Sequence, residues 1–284
     1  MAGIAPPFEF ELARRAPSQR LAGLIVGMTG YRETAPGWSS QRHAAPLIVP
    51  LIISFGSPFL IALGREPDAR DRQLSFAAGL HAGPVYIESD GRAECVQLDF
   101  TPLGAYGFFG GAVTELAGSM VAIGDVLGVE GQRLRERLGA ATRWEHRFDL
   151  LEDFVLGRIA HMPSPEIIFA YRRLARSAGA ARITVLAKEI GWSRKHLVQR
   201  FRSELGLAPK PLARMMRFHQ ACRLAQGEAA QGWAGIAADS GYSDQAHLAR
   251  EFVEFAGEPP TAWARRLALR DSRLVRSDDA LAHW

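Results

Sequence analysis

The feature that most limits what this chain can fold into is a short sentence written twice. Residues 191–201 read GWSRKHLVQRF and residues 241–252 read GYSDQAHLAREF. Ala187, Gly191 and Ser193 match Ala237, Gly241 and Ser243 at an offset of 50. Leu197, Phe201, Gly206 and Pro209 match Leu248, Phe252, Gly257 and Pro260 at an offset of 51. One residue has therefore been added near the start of the second copy's helix. Identities kept in this order imply two copies of one supersecondary unit.

Each copy makes physical sense as helix, turn and helix. A short helix (VLAKEI, then IAADS) ends at Gly191 or Gly241, and glycine enters the left-handed C-terminal conformation without a Cβ penalty. An aromatic follows, and Ser193 or Ser243 is placed to cap the next helix. On that helix Leu197, Phe201 and Leu205 share one face, as do Leu248, Phe252 and Phe255 in the second copy. These stripes are expected core, and the whole describes a helix-turn-helix.

The outer faces carry the chemistry. In the first copy they hold Arg194, Lys195, Val198, Gln199 and Arg202, and in the second Asp244, Gln245, Ala246, Ala249 and Arg250. Lys and Arg donate to guanine O6 and N7, and Gln pairs with adenine N6 and N7 in a major groove. Val198 and the alanines suit thymine methyls, while Arg194 and Arg202 suit phosphates, which position a protein without reading sequence. One such face is common on any solvated helix, but two in register favour DNA.

Between the copies PKPLARMMRFHQACRLAQG starts with prolines, is apolar at Leu212, Met215, Met216, Phe218, Ala221, Cys222 and Leu224, and stops at Gly227. A helix there spans roughly 26 Å. Such a spacer could hold two recognition helices about one DNA turn, roughly 34 Å, apart.

Charge follows the same division. Residues 180–284 hold 16 Lys+Arg against 11 Asp+Glu, leaving 18 against 19 in the remainder. Cys95 and Cys222 are the two cysteines, without CxxC spacing, which excludes a disulfide framework and fits a reducing cytosol. The opening MAGIAPPFEFELARR lacks the apolar core of a secretory signal. The apolar run at 47–63 is broken by Pro50, Gly56 and Pro58, and reads as two buried strands joined at FGSP rather than a membrane span. A cytoplasmic protein without a membrane partner is expected.

The first part, to about residue 130, reads mainly as short strands and turns, with Val85–Glu88 and Cys95–Phe100 bounded by HAGP, SDGR and TPLG. That pattern predicts an antiparallel barrel or sandwich. A helix over 144–160 has apolar Phe148, Leu151, Phe154, Val155 and Ile159 at steps of three and four, and suits packing on its own domain or on a second subunit. At HMPSPE, Ser164 is expected to cap a helix with Pro165 at its first position and Glu166 facing the dipole. The domains are placed at 1–163 and 164–275, with a mobile tail at 276–284.

The arrangement LAKEIGWSRKHLVQRFRSELGLAPKPLARMMRFHQACRL, followed by WAGIAADSGYSDQAHLAREFVEFAGEPPTAW, resembles the DNA-binding domain of the AraC/XylS family of transcriptional regulators over about 100 residues. The resemblance implies a bacterial regulator that binds double-stranded promoter DNA and acts on RNA polymerase, often as an activator. It puts the base-reading positions on Lys195, Val198, Gln199, Gln245, Ala246 and Arg250. Val198 cannot hydrogen-bond, so no operator sequence carries over. It also implies a cupin-like N-terminal barrel that takes a small effector and supports a homodimer. GYRE (30–33) and CVQLDFTPLGAYGFFG (95–110) resemble that domain in a branch of these regulators and bring no known ligand.

An enzymatic barrel is the rival. Cupin metal sites use a closely spaced HxH pair, whereas His43 and His81 are isolated, so no metal or cofactor is expected. Cys95 and Cys222 read as core. Asp99, Glu88 and Glu115 are not placed together by anything in the sequence, and surface or turn roles are commoner. Tyr86, Phe100, Tyr106 and Trp144 are candidates to line an effector pocket, together with Phe108 and Phe109, or else fill the core. His196 and His247 are expected at the border of the recognition helices. The fold expected is α+β: a cupin-like antiparallel barrel or sandwich followed by an all-α domain with two helix-turn-helix units joined by a linker helix. The function expected is a non-enzymatic, sequence-specific, effector-responsive regulator. A sequence-tolerant architectural DNA binder, or an enzyme-like cupin fused to a DNA-binding domain, remains the alternative.

Overall fold

The computed structural model describes residues 9–35, 37–227 and 232–270, so the expected tail at 276–284 lies outside the described residues. The N-terminal part contains strands β1 (Glu9–Arg15), β2 (Ile25–Thr34), β3 (Ser39–His43), β4 (Val49–Ser54) and β5 (Phe59–Leu63). It continues with β6 (Arg72–Gln73), β7 (Phe76–Ala78), β8 (Val85–Ser89), β9 (Glu94–Phe100) and β10 (Met120–Ala122). They pair antiparallel in a six-stranded sheet, order β1-β2-β9-β4-β7-β10, and a four-stranded sheet, order β3-β8-β5-β6.

Side-chain alternation along β9 shows how the layers stack. Cys95 on one face joins Ile52, Phe76, Phe59 and Ile61 in the cluster between the two sheets. Val96, Leu98 and Phe100 on the other face belong to a larger cluster shared with the helices. The period of two sorts consecutive residues to opposite faces, giving a sheet–sheet–helix order. FGSP does separate two strands, but β4 and β5 lie in different sheets, so the chain crosses from one layer to the other there. It returns between β6 and β7, crosses again between β7 and β8, and comes back once more at the SDGR turn between β8 and β9.

The expectation of strands and turns as far as about residue 130 fails from residue 102 onward. Helices α1 (Pro102–Phe109), α2 (Val113–Leu116) and α3 (Ile123–Ala140) occupy much of that stretch. TPLG is a helix start: the Thr101 hydroxyl accepts from Gly104 N at 2.9 Å and Pro102 takes the first helical position. Helix α4 (Trp144–Arg158) buries Trp144, Phe148, Leu151 and Val155 on its own domain, with the Trp144 ring laid against Gly30.

The C-terminal part holds α5 (Pro165–Arg176), α6 (Ile183–Glu189), α7 (Arg194–Leu205), α8 (Pro209–Gln226), α9 (Trp233–Asp239), α10 (Gln245–Ala256) and α11 (Pro260–Arg270). Ser164 precedes α5, but its hydroxyl does not cap that helix. Instead Glu204 of α7 reaches across and accepts from both the Ser164 backbone N–H and its hydroxyl. One free backbone donor at the start of α5 is thus met by tertiary structure, which a local pattern does not reveal.

Candidate nucleic-acid interface

The two repeats fold alike. After α6, Gly191 takes φ 74°, and after α9, Gly241 takes φ 75°, the left-handed conformation that glycine adopts most easily. The same closing bond follows each: Trp192 N to Ala187 O at 2.8 Å, and Tyr242 N to Ala237 O at 2.9 Å. The chain then enters α7 and α10. Leu197, Phe201 and Leu205 are buried beneath α7, and Leu248, Phe252 and Phe255 beneath α10.

The caps explain the extra residue in the second copy. Ser193 caps α7 by accepting from His196 N at 3.1 Å. In the second copy the cap is Asp244, which accepts from His247 N at 2.6 Å, and not Ser243 as the offset of 50 suggested. Asp244 stands 51 residues after Ser193, in the helix's own register. The inserted residue is absorbed in the turn, where Ser243 reaches Asp244 and the His247 ring.

Lys195, Gln199, Gln245, Ala246 and Arg250 are exposed, and Val198 is half-buried. Arg194 and Arg202 are exposed at the two ends of the α7 face. Among the described residues none of these polar side chains spends a hydrogen bond or ion pair within the protein. Ala249 is half-buried beside Arg250, and Asp244 is committed to capping rather than to the outer face. His196 lies edge-on to Trp192 and His247 edge-on to Tyr242, at the helix borders.

Helix α8 braces the pair. Leu212, Met215, Met216, Phe218, Ala221 and Cys222 are buried along it, with Leu224 partly so. Arg214 Nε and Arg217 Nη2 each donate to the buried Glu251 carboxylate of α10 at 2.8 Å. Burial alone would raise the Glu251 carboxyl, but the hydrogen bonds and charges of Arg214 and Arg217 outweigh it and hold it below the usual carboxylate range. Eighteen residues of α8 make a rod of about 27 Å.

Residues 186–266, spanning both units and the brace, match the family model described as a helix-turn-helix domain. The helical domain is an AraC-type helix-turn-helix domain. Among solved structures, the chain is similar to the C-terminal domain of AraT, a response regulator from Geobacillus stearothermophilus, at 20% identity and TM-score 0.34, covering 40% of this chain and 91% of that one. It is similar to the DNA-binding domain of AdpA, a global transcriptional factor, in complex with a target DNA, at 24% identity and TM-score 0.35, covering 39% and 97%. It is also similar to ToxT from Vibrio cholerae, at 10% identity and TM-score 0.42, covering 91% and 98%. No curated protein matches the chain.

The AraC-type domain is docked on the N-terminal part through equivalent ends of its two recognition helices, α7 on the α2 segment and α10 on the sandwich. Gly206 closes α7 against the Val113 carbonyl and Ala117, and Gly257 closes α10 against Tyr86, Arg42 and Pro84. Arg42 also pairs with Glu258 and donates to Gly257 O at 3.2 Å, while Ala45 N donates to Phe255 O at 2.8 Å.

The four residues expected to line an effector pocket do not converge. Phe100 packs with Phe108 and Phe109 on the helix side of the six-stranded sheet. Trp144 covers Gly30 on α4, Tyr106 lies near His161, and Tyr86 touches Gly257 at the domain junction. Aromatic content identified core and contact residues without telling which side of a sheet each would take. The polar groups between the sheets are others: Glu33, bonded by Tyr31 and Ser89, and Asp99, bonded by Gln97 Nε2 at 2.7 Å. Asp99 is 3% exposed, not a surface or turn residue, and burial pushes its carboxyl up to about 6. Cys95 and Cys222 are both buried, and burial pushes the Cys95 thiol up to about 12. Among the described residues no group of His, Cys, Asp and Glu is arranged to hold a metal, and no helix is long and apolar enough to cross a membrane.

Proposed function

We propose that the chain is a sequence-specific regulator of transcription that lays α7 and α10 in successive major-groove segments of promoter DNA. The observation that carries this reading is the pair of reading faces, each exposed, braced from behind by α8 and holding polar side chains that make no hydrogen bond or close ion pair among the described residues. Lys195, Val198 and Gln199 read bases in one segment, and Gln245, Ala246 and Arg250 in the next. Arg194 and Arg202 hold phosphates. The domain at 1–163 governs the one at 164–275 in response to a small effector and in a homodimer, and the bound protein acts on RNA polymerase. The buried carboxyl groups Glu33 and Asp99, set between the sheets with Tyr31, Ser89 and Gln97 as their hydrogen-bond partners, support a polar ligand in the sandwich.

Gln199→Ala and Arg250→Ala are expected to weaken specific binding by roughly 1–3 kcal/mol each while leaving non-specific binding nearly unchanged. Competition binding with specific and scrambled duplexes measures the ratio. An unchanged ratio in both variants would remove these residues from base reading and favour a sequence-tolerant architectural binder.

A further inference from the structure

The first recognition helix does not stand alone on its open side. A groove of about 960 Å³ runs along the face of α7, with Arg194, Lys195 and Arg202 on its walls. Its apolar lining includes Val198 and Pro211, and among the described residues its one wall residue from the N-terminal part of the chain is Thr114 of α2. No carboxylate lines it among the described residues. Thr114 is held there by the docking of Gly206 on Val113 and Ala117, which flank it in sequence. Its side chain is exposed, and its hydroxyl donates to the Gly111 carbonyl at 2.9 Å in the preceding turn.

We infer that the DNA interface extends onto the N-terminal domain, with a sugar–phosphate backbone passing along this groove between Arg202 and Thr114. The inference rests on the proposed DNA-binding role of α7 and adds a contact outside the helix-turn-helix domain. Charge complementarity selects the occupant: three cations and no carboxylate face a groove continuous with the base-reading side chains. A polyanion that places bases against Lys195 and Gln199 must carry its backbone along the edges of that same helix. The sandwich thus acts as a second bank for the DNA, and the α2 segment helps to fix the register of the first half-site.

Opposite charges at position 114 provide the test, since loss of folding cannot produce effects of opposite sign. Full-length wild type, Thr114→Glu and Thr114→Lys are titrated with the protein's selected duplex over a range of salt. Thr114→Glu should weaken binding by roughly five-fold, the effect of one like charge about 4 Å away in water. Thr114→Lys should tighten it and steepen the slope of log K against log salt by about 0.9, one added phosphate contact. Equal affinity and slope in all three proteins would overturn the inference while leaving the regulator reading intact. Absence of any duplex binding by wild type would instead overturn the regulator reading itself.

Discussion

Glu251 is the joint on which the position of the second recognition helix depends, and replacing it tests the bracing role given to α8. Its side chain is 3% exposed, against 30% for Arg214 and 20% for Arg217. Removing one partner of a fully buried ion pair costs about 3–5 kcal/mol, because the other charge is left without compensation. Here the arginines keep some water, Arg214 keeps Glu254, and Arg217 keeps the Tyr242 ring 4.7 Å away. Glu251→Gln should therefore cost less, about 2 kcal/mol. In a chain of this size that lowers the melting temperature by about 4–8 °C. The dependence on pH is a second readout. A carboxyl held low in the folded state stabilises above its unfolded pKa of about 4.3, and that contribution is lost as pH falls through the folded value. The gap between wild type and variant, followed by calorimetry, should be full at pH 7 and shrink below about pH 4. A gap under 1 °C at pH 7, or one that does not change on acidification, would refute the bracing argument.

Two further perturbations read other parts of the molecule. Ser193→Ala and Asp244→Ala should each cost about 1 kcal/mol in thermal unfolding, and Ser243→Ala only a few tenths, because Asp244 holds the cap; a larger loss for Ser243→Ala than for Asp244→Ala would reverse the register assigned to the second copy. Asp99 has a folded pKa raised to about 6, so its penalty is absent at low pH, grows as pH rises past its unfolded value and is complete above about 6. Asp99→Asn should accordingly raise stability at pH 7 by about 2 kcal/mol, at 1.36 kcal/mol per unit less some loss at the Gln97 hydrogen bond, and change little at pH 4. Equal effects at both pH values would contradict the burial argument.

The helical domain was legible because its signals are local and repeated. Glycine turns, apolar steps of three and four, and proline starts each act within a few residues, and a second copy checked the first. Even the added residue showed in the change of offset, although the sequence alone did not reveal that Asp244 would take over the cap from Ser243. Tertiary partners were not legible: Glu204 meets the start of α5 from 40 residues away. The N-terminal part was harder for two reasons. In PLGAYGFF every residue but the half-buried Tyr106 is buried, so α1 has no polar face to mark a helical period. In the central strands β4 and β9 both faces are largely buried, so burial marks no period, and a shift of one decides whether Phe100 faces helices or the opposite sheet. Composition therefore found the aromatics but scattered them over three surfaces, and the buried Asp99 was passed over as a surface residue.

The most direct test of the central claim is selection of bound duplexes from a random-sequence library by the full-length protein, with affinities checked at two salt concentrations. The account predicts an enriched site of two short motifs about ten base pairs apart, the spacing of two helices set side by side in successive major-groove segments. Affinity should fall steeply with salt, by about 0.9 in log K per phosphate neutralised for each tenfold rise. Salt-sensitive binding with no enriched motif, by both the full-length protein and the 164–284 fragment, would contradict it.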